Sequence, residues 1–164
     1  MRPELLLMTL AVGLAQGCAS RPVPELRSAP VGILRAERGV ILPIEVGAGL
    51  FAQCSRPSPK TNGRYWSPTP EDISKFETRF TEFYSGRFRS RALDCYSRQY
   101  IGFYSPDGGR FIYANFFMTI IGHTQDPDYW KKMPVIVCDG GSAYFGVVFD
   151  PRKDLIVEYE LNGF

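Results

Sequence analysis

The residues of this chain best suited to chemistry lie in the stretch VIVCDGGSAYFGVVFD, Val135 to Asp150. Cys138 and Asp139 precede Gly140 and Gly141, a grouping that could act as a nucleophile or as an anion-cradling loop. A nucleophilic cysteine needs a lowered pKa and a nearby base, and His123 is the one histidine of the chain. A small envelope enzyme using Cys138 and His123, or acidic residues in a sheet cavity, is therefore one reading. A phosphate cradle, however, places its glycines at the start of a helix, and the residues after Gly141 are those of a strand. Two glycines between two apolar strand-like runs are what a two-residue turn with positive φ requires. The turn accounts for all four residues. It also predicts that asparagine is the replacement best tolerated at Gly140, because its short polar side chain reaches the left-handed region at low cost.

Two other groupings could bind charge. His123, Asp126 and Asp128 fall within GHTQDPDYW, but a zinc site needs three or more ligands in defined geometry. Asp-Pro-Asp is ordinary turn composition, so the expectation is a solvated loop with no metal and no cofactor. Arg87, Arg89 and Arg91 alternate in GRFRSRAL, which puts them on one face if the segment is extended. They form a candidate anion patch, set against the alternative of a solvated surface. The formal net charge is +2, from 19 basic and 17 acidic residues. A nucleic-acid binder shows a much stronger basic bias, so no nucleic-acid partner is expected.

These side chains must be positioned by an α+β domain. The helix is the clearest element. Thr69 is placed as an N-cap, Pro70 suits the first helical position, and Asp72 stands where a capping-box acid would. Ile73, Phe76, Phe80 and Phe83 then recur as one apolar stripe, and Gly86 is a natural stop. The spacing predicts one helix over Pro70 to Ser85. Before it, GVILPIEVGAGLF is an edge or irregular strand because of Pro43, and SRPSPKTNGRYWSPTP is a loop. After it, YSRQYIGFY and RFIYANFFMTII form a hairpin about SPDGG. PVIVC and SAYFGVVF flank the two glycines as strands. LIVEYEL alternates, with Leu155, Val157, Tyr159 and Leu161 on one face and Glu158 and Glu160 on the other. Short connections make the sheet antiparallel: a single helix packed on a curved sheet of about four to six strands. The aromatics Tyr100, Phe111, Tyr113 and Phe117 are too many for one helix to cover if they share its face. A sheet concavity left partly open would then be a groove for a protein or small-molecule ligand.

The first eighteen residues, MRPELLLMTLAVGLAQGC, carry one early cation, an apolar run from Leu5 to Leu14, and small or polar residues before Cys18. The run is shorter than the roughly 20 apolar residues that span a bilayer, so it is read as a signal peptide over residues 1–17. The Gly17–Cys18 junction resembles the lipobox of bacterial lipoproteins, in which the cysteine is acylated and becomes the mature N-terminus. Ala15-Gln16-Gly17 also fits ordinary signal cleavage. The lipobox resemblance implies a membrane partner through a lipid anchor on Cys18, and Ala19–Ser20 implies sorting to the outer membrane, facing the periplasm. Residues 18–38, rich in Pro, Ala and Arg, would be the acylated N-terminus and tether, and 39–164 the folded domain. The order of elements from Gly39 onward resembles the cystatin-like fold and its NTF2-like variants, a helix cradled by a curved sheet. The cystatin inhibitory hairpin has no counterpart in Ser105–Pro106–Asp107–Gly108–Gly109.

In an oxidising compartment thiols pair. With Cys18 acylated, Cys54, Cys95 and Cys138 allow one bridge and one cysteine left over, and a free Cys18 would allow two bridges. Cys54–Cys138 is the expected pair, because it ties the long loop before the helix to the sheet. The sequence thus points to an envelope lipoprotein with a non-enzymatic binding or accessory domain. The rivals are the Cys138/His123 enzyme and a structural homodimer packed through its sheet.

Overall fold

The computed structural model describes residues 36–87, 93–118 and 126–163. A 3₁₀ turn, Ala36–Arg38, leads into β1 (Gly39–Ile41), so the last residues of the segment expected to be tether belong to the fold. Pro43 then ends the strand, lacking the N–H a ladder needs. The chain turns into a short helix, α1 (Ile44–Gly47), and a second 3₁₀ turn, Ala48–Phe51. The expectation of one helix is corrected here: IEVGAGLF is helical. After β2 (Tyr65–Trp66) comes α2 (Pro70–Arg87), which starts where predicted and runs through Gly86 to Arg87. Its N-terminus is a reciprocal capping box. Asp72 Oδ2 accepts from Thr69 N at 2.9 Å, and Thr69 Oγ1 accepts from Asp72 N at 3.2 Å.

The predicted hairpin is present as β3 (Tyr96–Tyr104) and β4 (Arg110–Met118), followed by β5 (Tyr144–Asp150) and β6 (Leu155–Leu161). The six strands form one sheet in the order β1-β3-β4-β5-β6, with β2 also on β3. The sheet is mixed rather than wholly antiparallel: β1 runs parallel to β3, Gly39 facing Arg98. The chain between them includes α2, which supplies the crossover that a parallel pair needs.

Both faces of this sheet are covered, by different means. Against one face lies α2, whose Phe76, Phe80 and Tyr84 pack on Tyr96, Tyr100, Phe116, Phe145 and Phe149. Phe80 sits at the centre, its ring 4.7 Å from Phe116 and 5.9 Å from Phe145. Arg98 is fully buried on this face, its Nε 3.2 Å from Glu77 Oε1 and 2.9 Å from the Tyr100 hydroxyl. Burial lifts the Glu77 carboxyl above its ordinary range despite the guanidinium. The opposite face carries Leu42, Leu50, Ile101, Phe103, Tyr113 and Val148, covered in part by the α1 segment. The hairpin aromatics are thus shared between the faces.

The β5–β6 turn fastens the sheet edge to α2. Asp150 Oδ1 accepts from Arg152 N and Lys153 N, and Asp154 pairs with Arg79 at 2.5 Å. On β6 the simple alternation does not hold. Val148 faces Glu158 and Phe149 faces Ile156, so Val157 is an extra residue in a β-bulge. Ile156 and Tyr159 both pack toward the helix, while Leu155 and Val157 are exposed.

Two substitutions grade these contacts. Thr69→Ala should cost about 1 kcal/mol through the lost cap, and Phe80→Ala about 3–5 kcal/mol through the cavity it leaves. Chemical denaturation measures both, and a Phe80→Ala cost no larger than that of Thr69→Ala would refute this packing.

Candidate functional site

The face away from α2 gathers polar side chains from two strands, the end of β6 and the loop that carries Arg56. Gln99, Asn115 and Tyr113 point there from the central strands, Asn162 follows β6, and Arg56 enters from the loop after α1. Arg56 is 5% exposed, and its guanidinium hydrogen-bonds to neutral oxygens. Nε and Nη2 donate to the Tyr113 hydroxyl at 3.2 and 3.0 Å. Nη1 reaches Asn162 Oδ1 and Nη2 reaches Asn115 Oδ1, each at 2.5 Å. A buried cation is tolerated only when its donors are met, and the planar fork meets three acceptors from two strands at once. The close fit needs glycine at 146. A Cβ there would lie 2.6 Å from the Tyr113 hydroxyl and 3.0 Å from Arg56 Nε. Burial raises the Tyr113 hydroxyl pKa, Arg56 opposing the shift and Glu158 adding to it.

The same amides hold the strap that precedes β5. Gln99 Nε2 donates to the carbonyls of Trp130 and Met133, and Gln99 Oε1 accepts from Val135 N at 2.8 Å. Asn115 Nδ2 donates to Val135 O at 3.0 Å, and Asn162 Nδ2 to Val137 O at 2.5 Å. The expectation that PVIVC is a strand is corrected here: it is a strap outside the ladder, several of whose backbone groups are taken by side chains. The disulfide Cys54–Cys138 pins its end to the Arg56 loop across 84 residues of chain. This is the expected pair. Cys95 is not left over, since none of the described cysteines is free.

The opening grouping is a turn, though not a hairpin. Gly140 has φ 98° and Gly141 φ 50°, and they lead into a 3₁₀ turn, Gly141–Ala143, before β5. Gly141 N donates to Gly163 O at 3.0 Å, so a peptide N–H there is spent within the fold. A Cβ on Gly140 would lie 2.5 Å from the Tyr144 ring. Asparagine is thus not tolerated as the turn alone suggested. Cys138 is no nucleophile in this state, because its sulfur is bonded to Cys54. Asp126 and Asp128 are exposed and paired with Lys132 and Lys131 at 3.1 and 2.7 Å. Backbone and lysine hydrogen bonds hold the Asp126 carboxyl below its usual range. Among the described residues no three His, Cys, Asp or Glu side chains gather. Arg87 ends α2 with its guanidinium 4.7 Å from the Phe83 ring centre. Cys18, Arg89, Arg91 and His123 lie outside the described residues.

Beyond Tyr113, toward the hairpin turn, the polar packing gives way to a trough of about 560 Å³. Phe103, Phe111 and Val148 form its floor, the Pro57–Lys60 loop borders it, and β6 contributes Val157, Glu158 and Glu160. The aromatics from which a concavity was expected do not share the helix face: Tyr100 packs under α2 and Tyr113 on the opposite face, and of the four only Phe111 lines this trough. Sequence reasoning missed Arg56, Gln99, Asn115 and Asn162 as a set. The signal was the amides and guanidinium set within aromatic strands and beside Cys54. Comparison with protein-family models, with curated proteins and with solved structures finds no match for this chain.

Removing either end of the disulfide should lower stability by about 4 kcal/mol, and Cys54→Ser and Cys138→Ser should do so alike. Arg56→Lys keeps the charge but not the fork, and should cost about 1–3 kcal/mol. Denaturant midpoints test both. An unchanged midpoint for Arg56→Lys would mean that guanidinium geometry is not what joins β4 to the end of β6.

Proposed function

We propose that this chain is a lipoprotein of the bacterial envelope whose folded domain is a non-enzymatic binding module. Cys18 carries the lipid, residues 18–38 tether the domain at the outer membrane facing the periplasm, and the ligand occupies the trough. The single observation that carries the binding role is the trough itself. Its floor of Phe103, Phe111 and Val148 is apolar and concave, in the size range of small-molecule pockets, with charged groups at its border. The Cys54–Cys138 disulfide supports an oxidising compartment. It also removes Cys138 from catalysis, which disfavours the enzyme built on Cys138 and His123. The layout of one long helix on one sheet face supports the cystatin-like and NTF2-like comparison at the level of architecture.

Anchoring has a chemical consequence for the cysteines. The chain has four, Cys54 and Cys138 are joined and Cys95 is not free; because acylation consumes the Cys18 sulfur, an acylated Cys18 requires Cys95 to bond to another chain, whereas a second bridge within one chain excludes the anchor. The intact mass of the mature protein tells them apart.

Two measurements test the proposal. Wild type should incorporate radiolabelled palmitate and sediment with membranes, and Cys18→Ser should do neither; equal behaviour of the two refutes the anchor. The domain should bind 2-naphthylmethanol, a neutral apolar probe, and Val157→Trp should abolish binding with little change in the melting point. Val157 is suited to this because it is an exposed bulge residue lining the trough. Probe binding unaffected by Val157→Trp refutes the trough as the site.

A further inference from the structure

The trough is not electrically uniform. Glu158 and Glu160 stand on the same face of β6, opposite Val148 and Gly146, and both line the cavity. Among the described residues neither carboxylate is within hydrogen-bonding or ion-pairing distance of a partner. Side-chain charges on an edge strand ordinarily stand out in water, where lacking a partner costs little. Here partial burial, and then the neighbouring Glu160, raise the Glu158 carboxyl above its ordinary range, so the pair is held under mutual repulsion. The nearest buried cation, Arg56, is already spent on Tyr113, Asn115 and Asn162. Of the two lysines that line the trough, Lys153 stands 3.7 Å from the buried Asp150 carboxylate, and Lys60, on the proline loop, is exposed and makes no ion pair with either glutamate.

The floor beside the carboxylates has its own preference. Phe103 and Phe111 stack across β3 and β4 with ring centres 5.6 Å apart. Aromatic faces attract cations as well as apolar groups, most strongly where water is displaced. Carboxylates without partners and an aromatic floor therefore ask for the same kind of molecule.

We propose that the trough selects an amphipathic organic cation, its apolar body over Phe103, Phe111 and Val148 and its ammonium or guanidinium group between Glu158 and Glu160. This rests on the reading that the trough is the binding site, and it names the class of ligand. An anionic ligand would meet two unneutralised carboxylates, and a neutral one would leave their repulsion in place. The bound cation relieves it. Two exposed carboxylate contacts give a preference of about tenfold for a cation over a neutral molecule of the same shape at low salt, and added salt weakens that preference.

The test compares two probes of one shape, 2-naphthylmethylammonium and 2-naphthylmethanol, titrated into the oxidised full-length chain at neutral pH and low salt. Binding is followed by amide shifts of Phe111, Val148 and Val157 to Glu160. The cation should bind about tenfold more tightly. In Glu158→Gln/Glu160→Gln the preference should vanish while 2-naphthylmethanol binds as before, which also shows that the variant is folded. Equal affinities in the wild type overturn the cation selectivity and leave the trough standing. A preference that persists in the double variant overturns the role of the two carboxylates. If neither probe shifts these amides, the trough reading fails and the selectivity with it.

Discussion

The guanidinium of Arg56 is the constraint from which the rest of this structure follows. A charge buried to this degree is costly unless each donor has an acceptor, and here the acceptors are the Tyr113, Asn115 and Asn162 oxygens. Meeting them fixes β4 relative to the end of β6. It demands glycine at 146, and it leaves the amide nitrogens of Asn115 and Asn162 facing outward to hold the strap. Gln99 extends the same pattern to Trp130 and Met133. The Cys54–Cys138 disulfide sits two residues along the chain from Arg56 and joins that loop covalently to the end of the strap. Beyond the α1 segment, this face of the sheet is closed by side-chain hydrogen bonds to the strap.

That difference between the faces is what supports the proposed binding role. Where α2 lies, aromatic rings pack against one another, and the buried Arg98 is answered by Glu77 at 3.2 Å. Where the strap lies, coverage depends on how far the polar side chains reach. It ends near Tyr113, and the aromatic floor beyond it is uncovered. The edge beside this floor is β6, which carries a bulge at Val157 and two glutamates. Both are devices that discourage the addition of a further strand. They favour a ligand lying in the trough over a second copy paired along the edge.

Parts of this design were legible in the sequence because their causes are local. The stripe of Phe76, Phe80 and Phe83, the Thr69–Asp72 box and the Ser105–Gly109 turn each declare themselves within a few residues. The Cys54–Cys138 pair was legible from where the loop had to be tied. What escaped depends on partners far along the chain. PVIVC has the composition of a strand, but its backbone groups are taken by Gln99, Asn115 and Asn162, so it never joins the ladder. IEVGAGLF is rich in strand formers, yet Pro43 breaks the pairing and the segment coils over Ile101. Arg98 and Gln99, adjacent in β3, are polar residues within an aromatic strand. Both are fully buried, one on each face, because β3 is the strand that everything else covers. The bulge at Val157 displaced the alternation of β6 by one residue, which no local pattern announces.

Hydrogen exchange on Arg56→Met tests the central claim most directly, since that variant removes the fork and leaves the disulfide in place. The amides of Val135, Gly141 and Gly163 are held by Gln99, Gly163 and Ser55 oxygens on the strap side. Those of Phe76 and Phe80 belong to α2 on the other face. If Arg56 organises the strap face, exchange at Val135, Gly141 and Gly163 should accelerate well beyond that of Phe76 and Phe80. A uniform acceleration at all five amides, tracking only the change in global stability, would contradict it.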